Sequence, residues 1–484
     1  MKSSALLIVV SILSSCKSPP TPAHDASVQD SIIVDIPALM PVIVAEPCVT
    51  KARDFGAIPN DGLDDASGLR AAAASACPNV QLEAGTYVWA VPSYPRAVSM
   101  VDMKGVLSGA GQDVTTIRLT GSGSDQDLFA VRLIASGSGA QDLTVDMTGL
   151  IPGTTNEQTH AFAVDGRIAK VSGVRVTRVK ILNPYGDCAD LVGYEPQPDG
   201  TKDYRISVRI DHSIFQVCGR SGITFFGGCN DCEFDHLTGI NVYDQIFDGE
   251  GKGGGSHRIK IHHNFDRAGS SIESTLAIDV NNSSEIEIFD NDFDRGISLA
   301  RCFACSVRDT KIVQSRVSEP LISITKEGEI TLSDLRLTRE ASASPGVLVY
   351  GGWRSGTVPT SIALSDSTLI QKTDAPAIDG YGIRSLAIHR TDFQFVGDSA
   401  GLRDAITVSG GPVSSGLKAS ISVSDSTISG SVRSATFLSG AYAGMTTATF
   451  RKLTAPEGLR CKNVAVTTKN GGIQGPLIVD QCPW

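Results

Sequence analysis

A short apolar element recurs along most of this chain. Val131, Val164, Val192, Ile223, Ile246, Ile272, Ile297, Ile322, Val347, Ile378, Ile406 and Phe437 each sit in one copy, 23 to 33 residues after the copy before. A second element follows each copy, as in "GVRVTRVKI", "RIKIHHNF", "EIEIFDNDF" and "SISVSDSTI". These segments alternate apolar and polar residues, and a period of two means strands with one face buried. A repeat of this length cannot bury that face alone and does so by stacking on its neighbours. The expected fold is all-β: a single-stranded right-handed parallel β-helix, a solenoid with several short strands per turn. Ser213, Asn264, Asn291, Ser367, Thr391 and Ser426 align at one turn position. They are expected to form an internal polar stack that satisfies turn backbone groups.

The main helical pattern is "DDASGLRAAAASA", inside "ARDFGAIPNDGLDDASGLRAAAASACPNVQLEAGTYVW" (52–89). The Asp-Phe-Gly-Ala start, the Asp-Gly-x-x-Asp-Asp turn, the Ala-rich helix and the Gly-Thr-Tyr strand resemble the N-terminal cap of pectate-lyase-like β-helix proteins. That group includes polygalacturonases and phage tailspikes. The resemblance implies a short capping helix over the open end of the solenoid, where apolar side chains and strand edges would otherwise meet water. Asp64 and Asp65 suit its start. Such a cap speaks for a fold and not for a chemistry.

The N-terminus reads differently. Lys2 precedes an apolar run, Ala5 to Leu13, too short to span a bilayer and typical of a signal-peptide core. It ends in Leu13-Ser14-Ser15-Cys16, which resembles a bacterial lipobox and implies acylation of Cys16. Lys17 at the next position points to the outer membrane by the usual sorting pattern. The expected organisation is a signal peptide (1–15), a Pro/Ala/Ser-containing tether (16–47) and a β-helix domain (48–484) with its cap at 48–90. No later segment has the length and apolarity of a membrane span, so membrane attachment is expected through the lipid alone. A net charge of −10 argues against nucleic acid as a partner. A lipid tether favours a monomer over the trimers of tailspikes.

Ten cysteines remain beyond Cys16, an even number in a chain read as exported. Cys48 and Cys77 flank the capping helix, Cys229/Cys232 and Cys302/Cys305 are close pairs, and Cys461 and Cys482 bracket the C-terminus. Cys188 and Cys218 fall close in register on neighbouring rungs. Disulfides are expected rather than zinc, because the two CxxC pairs lie 70 residues apart with no histidines placed to complete a site. His257, His262 and His263 are neighbours in one strand pattern and so point to different faces. No shared metal site is expected from them.

Function concentrates on three consecutive rungs: "NPYGDCADLVGYEPQPDG" (183–200), "VCGRSGITFFGG" (217–228) and "VYDQIFDGEGKGGG" (242–255). Aligning Val192, Ile223 and Ile246 stacks Asp190, Ser221 and Asp244, with Arg220 one residue away. Asp248 and Glu250, two residues apart, share a strand face with Cα atoms about 6.5 Å apart, and acids one rung apart stack at about 4.8 Å. Spacings of this size serve retaining and inverting glycosidases alike. Like charges so close raise one pKa, which is how a general acid arises. The run resembles the Asp-Gly-Ile, Arg-x-Gly-Ile and Ile-Asp-x-Glu series of many β-helix proteins. Here Leu191 replaces the first glycine and the last element reads Phe247-Asp248-Gly249-Glu250.

Asp187, Asp190, Asp248 and Glu250 are therefore the acid–base candidates. Arg220, Asp244, Lys252, Tyr194 and Tyr243 are the substrate-binding candidates. The expected activity is cleavage of a polysaccharide, by hydrolysis or by β-elimination. A hydrolase of this kind needs no cofactor, whereas a lyase would use Ca²⁺ held by acids together with Arg220 or Lys252. "RIKI" (258–261) echoes a polygalacturonase motif, but the Asn-Thr-Asp and Gly-His-Gly motifs that accompany it are absent. The alternative is a non-catalytic glycan-binding adhesin or surface scaffold.

Overall fold

A computed structural model describes residues 48–484 except 92–97, 123–127, 152–157, 168, 194–205, 252–254, 270–273, 315–318, 344, 353–359, 398–403, 410–419, 431, 433, 440–446, 452–464, 468–476 and 481–484. The chain winds as a parallel β-solenoid of about 11 turns. Three stacks of parallel strands run along it. One contains Leu128–Leu133, Thr159–Asp165, Ala189–Val192, Ile223–Phe225, Phe247–Gly249 and the first part of Leu276–Phe289. A second contains Val171–Leu182, Ile206–Asp211, Asn230–Asp235, His257–His262 and the second part of Leu276–Phe289. A third contains Ile214–Gln216, Thr238–Ile240, Phe265–Arg267 and Asp292–Phe293.

Alternation sends one face of these strands inward. Phe225, Phe234, Phe247, Ile259, Ile261 and Ile278 are buried side by side. Ring centroids of Phe225 and Phe234 lie 5.7 Å apart, and those of Phe234 and Phe247 lie 5.9 Å apart. These rungs thus bury their apolar residues against one another, as the repeat demands.

The turn between the second and third stacks has one construction throughout. A residue with positive φ turns the chain: His212, His236, His263, Asp290, Asp309, Asp334, Asp366, Arg390 and Asp425. Most are Asp or His, types enriched in this left-handed region. The next residue points inward, and Ser213, Asn264, Asn291, Ser367, Thr391 and Ser426 are all buried there. The Leu237 N–H donates to Asn264 Oδ1 (2.9 Å), and the Asn264 N–H donates to Asn291 Oδ1 (3.0 Å). Each amide also donates to a carbonyl of its own turn or the one below: Asn264 to Phe234 O, and Asn291 to Ile261 O and Phe289 O. This is the polar stack the sequence pattern anticipates.

The capping helix is Ala66–Ala73, burying Leu69, Ala72 and Ala73. Asp65 stands at its N-cap but makes no capping bond with its side chain. Its carboxylate accepts instead from the Ile58 and Val88 N–H groups, both at 2.8 Å. Asp64 Oδ1 accepts from the Ala66 and Ala90 N–H groups at 3.1 Å. The two acids stitch the helix to strand Gly85–Ala90 rather than merely starting it. Disulfides join Cys48 to Cys77, Cys188 to Cys218, Cys229 to Cys232 and Cys302 to Cys305. Cys16, Cys461 and Cys482 lie outside the described residues.

Replacing Asn291 by Ala removes the acceptor of the Asn264 N–H and two donors to turn carbonyls, all in the interior. Stranding such groups costs about 1–3 kcal/mol each where they stay dry. Asn291→Ala is expected to lower the urea midpoint clearly, while Asp290→Asn at the exposed neighbour leaves it almost unchanged. Equal midpoints for Asn291→Ala and wild type would show that the stack is ornamental.

Candidate active site

Strand alternation decides which acids face outward. Ala189 and Leu191 are buried, so Asp190 points out between them. Phe247 is buried likewise and Asp248 points out. Register then stacks Ala163, Asp190, Thr224, Asp248, Asp279 and Ser298 in one outward column. This corrects the alignment that put Asp190, Ser221 and Asp244 together. Ile246 and Phe247 are both fully buried, so an apolar run there fits two registers one residue apart. The strand uses Phe247. Gly249 lies between the two acids and faces inward, where a Cβ would meet the Phe225 ring at 2.5 Å. Only glycine lets this strand lie flat on that ring.

The turn before this column carries Asp187, Arg220 and Ser221. The Cys188–Cys218 disulfide ties the two rungs there. Asp187 is fully buried and its Oδ1 accepts the Ser221 N–H at 2.9 Å. Arg220 gathers the carboxylates. Its guanidinium donates to Glu250 Oε1 and lies 3.7 Å from Asp248 Oδ2 and 3.5 Å from Asp187 Oδ2. The Ser221 hydroxyl reaches toward Asp248 Oδ2 (3.5 Å) and Gln245 Oε1 (3.4 Å). Arg295, buried and paired with Asp266 at 2.8 Å, donates to the carbonyls of Val242 and Asp244 and so fixes the turn leading into the Asp248 strand.

Electrostatics separates the acids from ordinary surface carboxylates. Burial, and then the like charge of Glu250, push the Asp248 carboxyl up to about 7 against the pull of Arg220. Asp279, next in the column, adds to that push and is itself raised by burial. Asp190 is pushed up to about 6, first by burial and then by Asp187, with His160 and Arg220 opposing. His160 is buried, which works against its protonated form. Asp187 and Asp190 outweigh that and hold the imidazole above its usual value. Its Nδ1 lies 3.0 Å from the Asp187 N–H and 3.3 Å from Asp187 Oδ2.

Five of the residues singled out in the sequence thus meet: Asp187, Asp190, Arg220, Asp248 and Glu250. Asp244 stands aside at the turn, its N–H on the Arg220 carbonyl at 3.0 Å. Tyr243 is exposed, with its N–H on the Cys218 carbonyl. Tyr194 and Lys252 lie outside the described residues. His160 and Asp279 escape the sequence reading. Asp279 would have emerged had its rung been anchored on Ile278 rather than Ile272. His160 carries only the signal of a lone histidine before an apolar run.

No protein-family model matches the sequence, and no curated protein matches it. Solved structures match its fold. The tailspike protein gp49 of Pseudomonas phage LKA1 is 13% identical, with 88% of this chain and 84% of that chain covered and a TM-score of 0.53. The tailspike gp61 of Pseudomonas phage phi297 is 11% identical, with 86% and 82% covered and a TM-score of 0.52. The A-module of the Azotobacter vinelandii mannuronan C-5 epimerase AlgE4 is 16% identical, covers 90% of this chain and 100% of its own, and has a TM-score of 0.42. The chain shares the right-handed parallel β-helix fold of the two tailspikes.

Proposed function

We propose that this chain cleaves a polysaccharide on the outward face that carries Asp190, Arg220, Asp248 and Glu250. The observation that supports this is Asp248, a carboxyl whose pKa stands near 7 beside an arginine-bound second carboxylate. A carboxyl that keeps its proton near neutrality protonates a leaving glycosidic oxygen. Asp190 stands two strand spacings away, about 9.6 Å between Cα atoms. Carboxyls carried on Cα atoms so spaced come near the separation of an inverting hydrolase's water-mediated pair, about 6.5–9.5 Å between carboxyls, rather than the closer pair of a retaining one. In this role Asp190 takes the proton of the attacking water. Glu250 holds Arg220 in place, and Asp187, itself beside His160, lies under its guanidinium. A lyase reading draws on the same Arg220, which would neutralise a uronate carboxylate before proton abstraction. Tyr243 offers an exposed ring for a sugar face, and Asp244, Tyr194 and Lys252 complete the proposed binding residues. Export and a lipid anchor at Cys16 belong to the same proposal, and the disulfides support an oxidising compartment.

The test is a panel of neutral and acidic polysaccharides incubated with the purified full-length chain, with and without a calcium chelator. New reducing ends alone mean hydrolysis. Reducing ends together with the ultraviolet absorbance of an unsaturated uronate mean elimination. Asp248→Asn and Asp190→Asn are each expected to lose about 10²-fold or more in rate. Saturable glycan binding without cleavage across the panel would replace this reading with the non-catalytic one.

The protonation of Asp248 is testable without a substrate. Its folded pKa, about 7, lies above the ordinary aspartate value of 3.8, so the folded chain holds this proton more tightly than the unfolded chain does. The associated stability is present at low pH and lost as pH rises through the folded value. Asp248→Asn cannot ionise. Relative to wild type it is expected to gain roughly 2–4 kcal/mol between about pH 4 and pH 8. Urea unfolding at the two pH values measures this, and a constant difference would mean that Asp248 is ionised like a surface acid.

A further inference from the structure

The outward column that carries Asp190 and Asp248 does not stop at the proposed site. Register continues it from Asp279 through Ser298, Ser323 and Tyr350 to Asp379 and Thr407. Each of these side chains is partly exposed, whereas the residues before them in their strands, such as Ile278, Ile297, Ile322 and Val349, are buried. The face is therefore one surface along the solenoid, with one outward residue of this column per rung. Tyr350 lies four strand spacings beyond Asp248, about 19 Å between Cα atoms. Tyr381 stands diagonally across from it on the next rung, in register with Gly352. A Cβ on Gly352 would strike the Tyr381 carbonyl, and glycine leaves the face bare between the two tyrosines.

The order of acid and base gives this surface a direction. In an inverting hydrolase the base activates water on one face of the sugar, and the acid protonates the leaving oxygen on the other. Asp190 is the proposed base and Asp248 the acid, so the leaving part of the chain lies over the rungs beyond Asp248. A strand spacing of about 4.8 Å is close to the length of one sugar unit in an extended glycan, so successive units meet successive rungs. Asp279 comes first, then the hydroxyls of Ser298 and Ser323, then Tyr350, whose side chain offers an apolar ring with a polar tip.

Charge restricts which sugars fit. Arg220 already faces Asp187, Asp248 and Glu250. On the other side of Asp190 the column runs through Ala163 to Arg132, which is bound to Asp102 at 2.8 Å and lies 3.4 Å from Asp165. Lys326 acts as a counter-charge to Asp279. Even with Asp248 protonated and His160 charged, Asp187, Asp190, Glu250 and Asp279 outnumber Arg220, His160 and Lys326 in and around the site, among the described residues. A uronate laid on this wall sets one more carboxylate beside Asp279, whose own carboxyl burial already holds above the usual range. Each of those arginines and Lys326 is already opposed by an acid of the chain.

We propose that the substrate is a polysaccharide without carboxylates, lying along the solenoid axis with its leaving units over Asp279, Ser298, Ser323 and Tyr350. The inference rests on the hydrolase reading of Asp190 and Asp248, and it removes the uronate on which the lyase reading depends. Asp279 accepts hydrogen bonds from sugar hydroxyls or from the ammonium of an amino sugar. Tyr350 stacks on a unit about four positions along from the cleaved bond.

The experiment measures cleavage and affinity side by side for the full-length chain, with β-glucan, galactomannan and glycol chitosan against polygalacturonate and alginate. Affinity electrophoresis in gels cast with each polymer gives binding, and reducing ends give cleavage. The expected result is cleavage within the carboxylate-free group, with the two uronates bound at least about tenfold more weakly. Asp279→Asn is expected to narrow that gap. On the polymer that wild type cleaves, Tyr350→Ala is expected to raise KM about fivefold or more and to lower kcat far less, with the urea midpoint unchanged. A uronate cleaved, or bound as tightly as the carboxylate-free polymers, would overturn the proposal, and so would an unchanged KM in Tyr350→Ala. Selective retention of carboxylate-free polymers without cleavage would instead remove the hydrolase reading and keep this face as a glycan-binding one. No retention and no cleavage by any polymer would overturn both.

Discussion

The parallel ladder between rungs governs this molecule. Each strand finds its hydrogen-bond partners only in the turns above and below, and the spacing they impose is about 4.8 Å. Side chains at equivalent positions are therefore brought into contact whatever their chemistry. Where they are apolar the result is a core, as with Phe225, Phe234 and Phe247. Where they are amides the result is a chain of hydrogen bonds, as with Asn264 and Asn291. Carboxylates stacked in this way repel, and Asp248 over Asp279 is such a pair. Imidazoles stacked in this way share a face, and His212 and His236 are that case. The same constraint thus produces the stability of the solenoid and the unusual electrostatics on its surface.

Much of this was legible from residue order. The spacing of the apolar elements, the alternating strands, the turn column from Ser213 to Ser426 and the paired cysteines all state a stacked fold. These features depend on period, and period survives small errors of alignment. The proximity of the candidate residues has a related cause. Asp187, Asp190, Arg220, Asp248 and Glu250 lie in three consecutive turns, and any close stacking brings them near one another. What failed was register. Ile246 and Phe247 are adjacent and both buried, so hydrophobicity does not say which one heads the strand. A slip of three residues set Asp190 beside Ser221 instead of Thr224, and a slip of one set Ile223 beside Ile246 instead of Phe247. Histidines at a single turn position, each from a different rung, were invisible for the same reason: their proximity exists only once the register is known.

Many carboxylates of this chain are partly or wholly covered, and their partners tell them apart. Asp102, Asp146, Asp165 and Asp211 resist burial through arginine partners, joined by serine, threonine or histidine, and are held below the usual carboxylate range. These are structural acids, charged and satisfied. Asp65 is raised by burial, yet it accepts two backbone N–H bonds and anchors the cap. A raised pKa alone therefore marks no function.

Asp248 combines what the others have singly. It is raised by burial, and it faces outward. Arg220 lies beside it but directs its hydrogen bond to Glu250. A scaffold selected only for stability would gain by giving Asp248 the direct arginine contact that Asp211 has, or by replacing it with an uncharged residue. The arrangement instead pushes the Asp248 carboxyl toward its protonated form beside an arginine-bound neighbour, with Asp190 two rungs along the same outward column. Separating two carboxylates in this way is the division of labour that acid–base catalysis requires, and it costs the fold stability at neutral pH that a purely structural column would not give up.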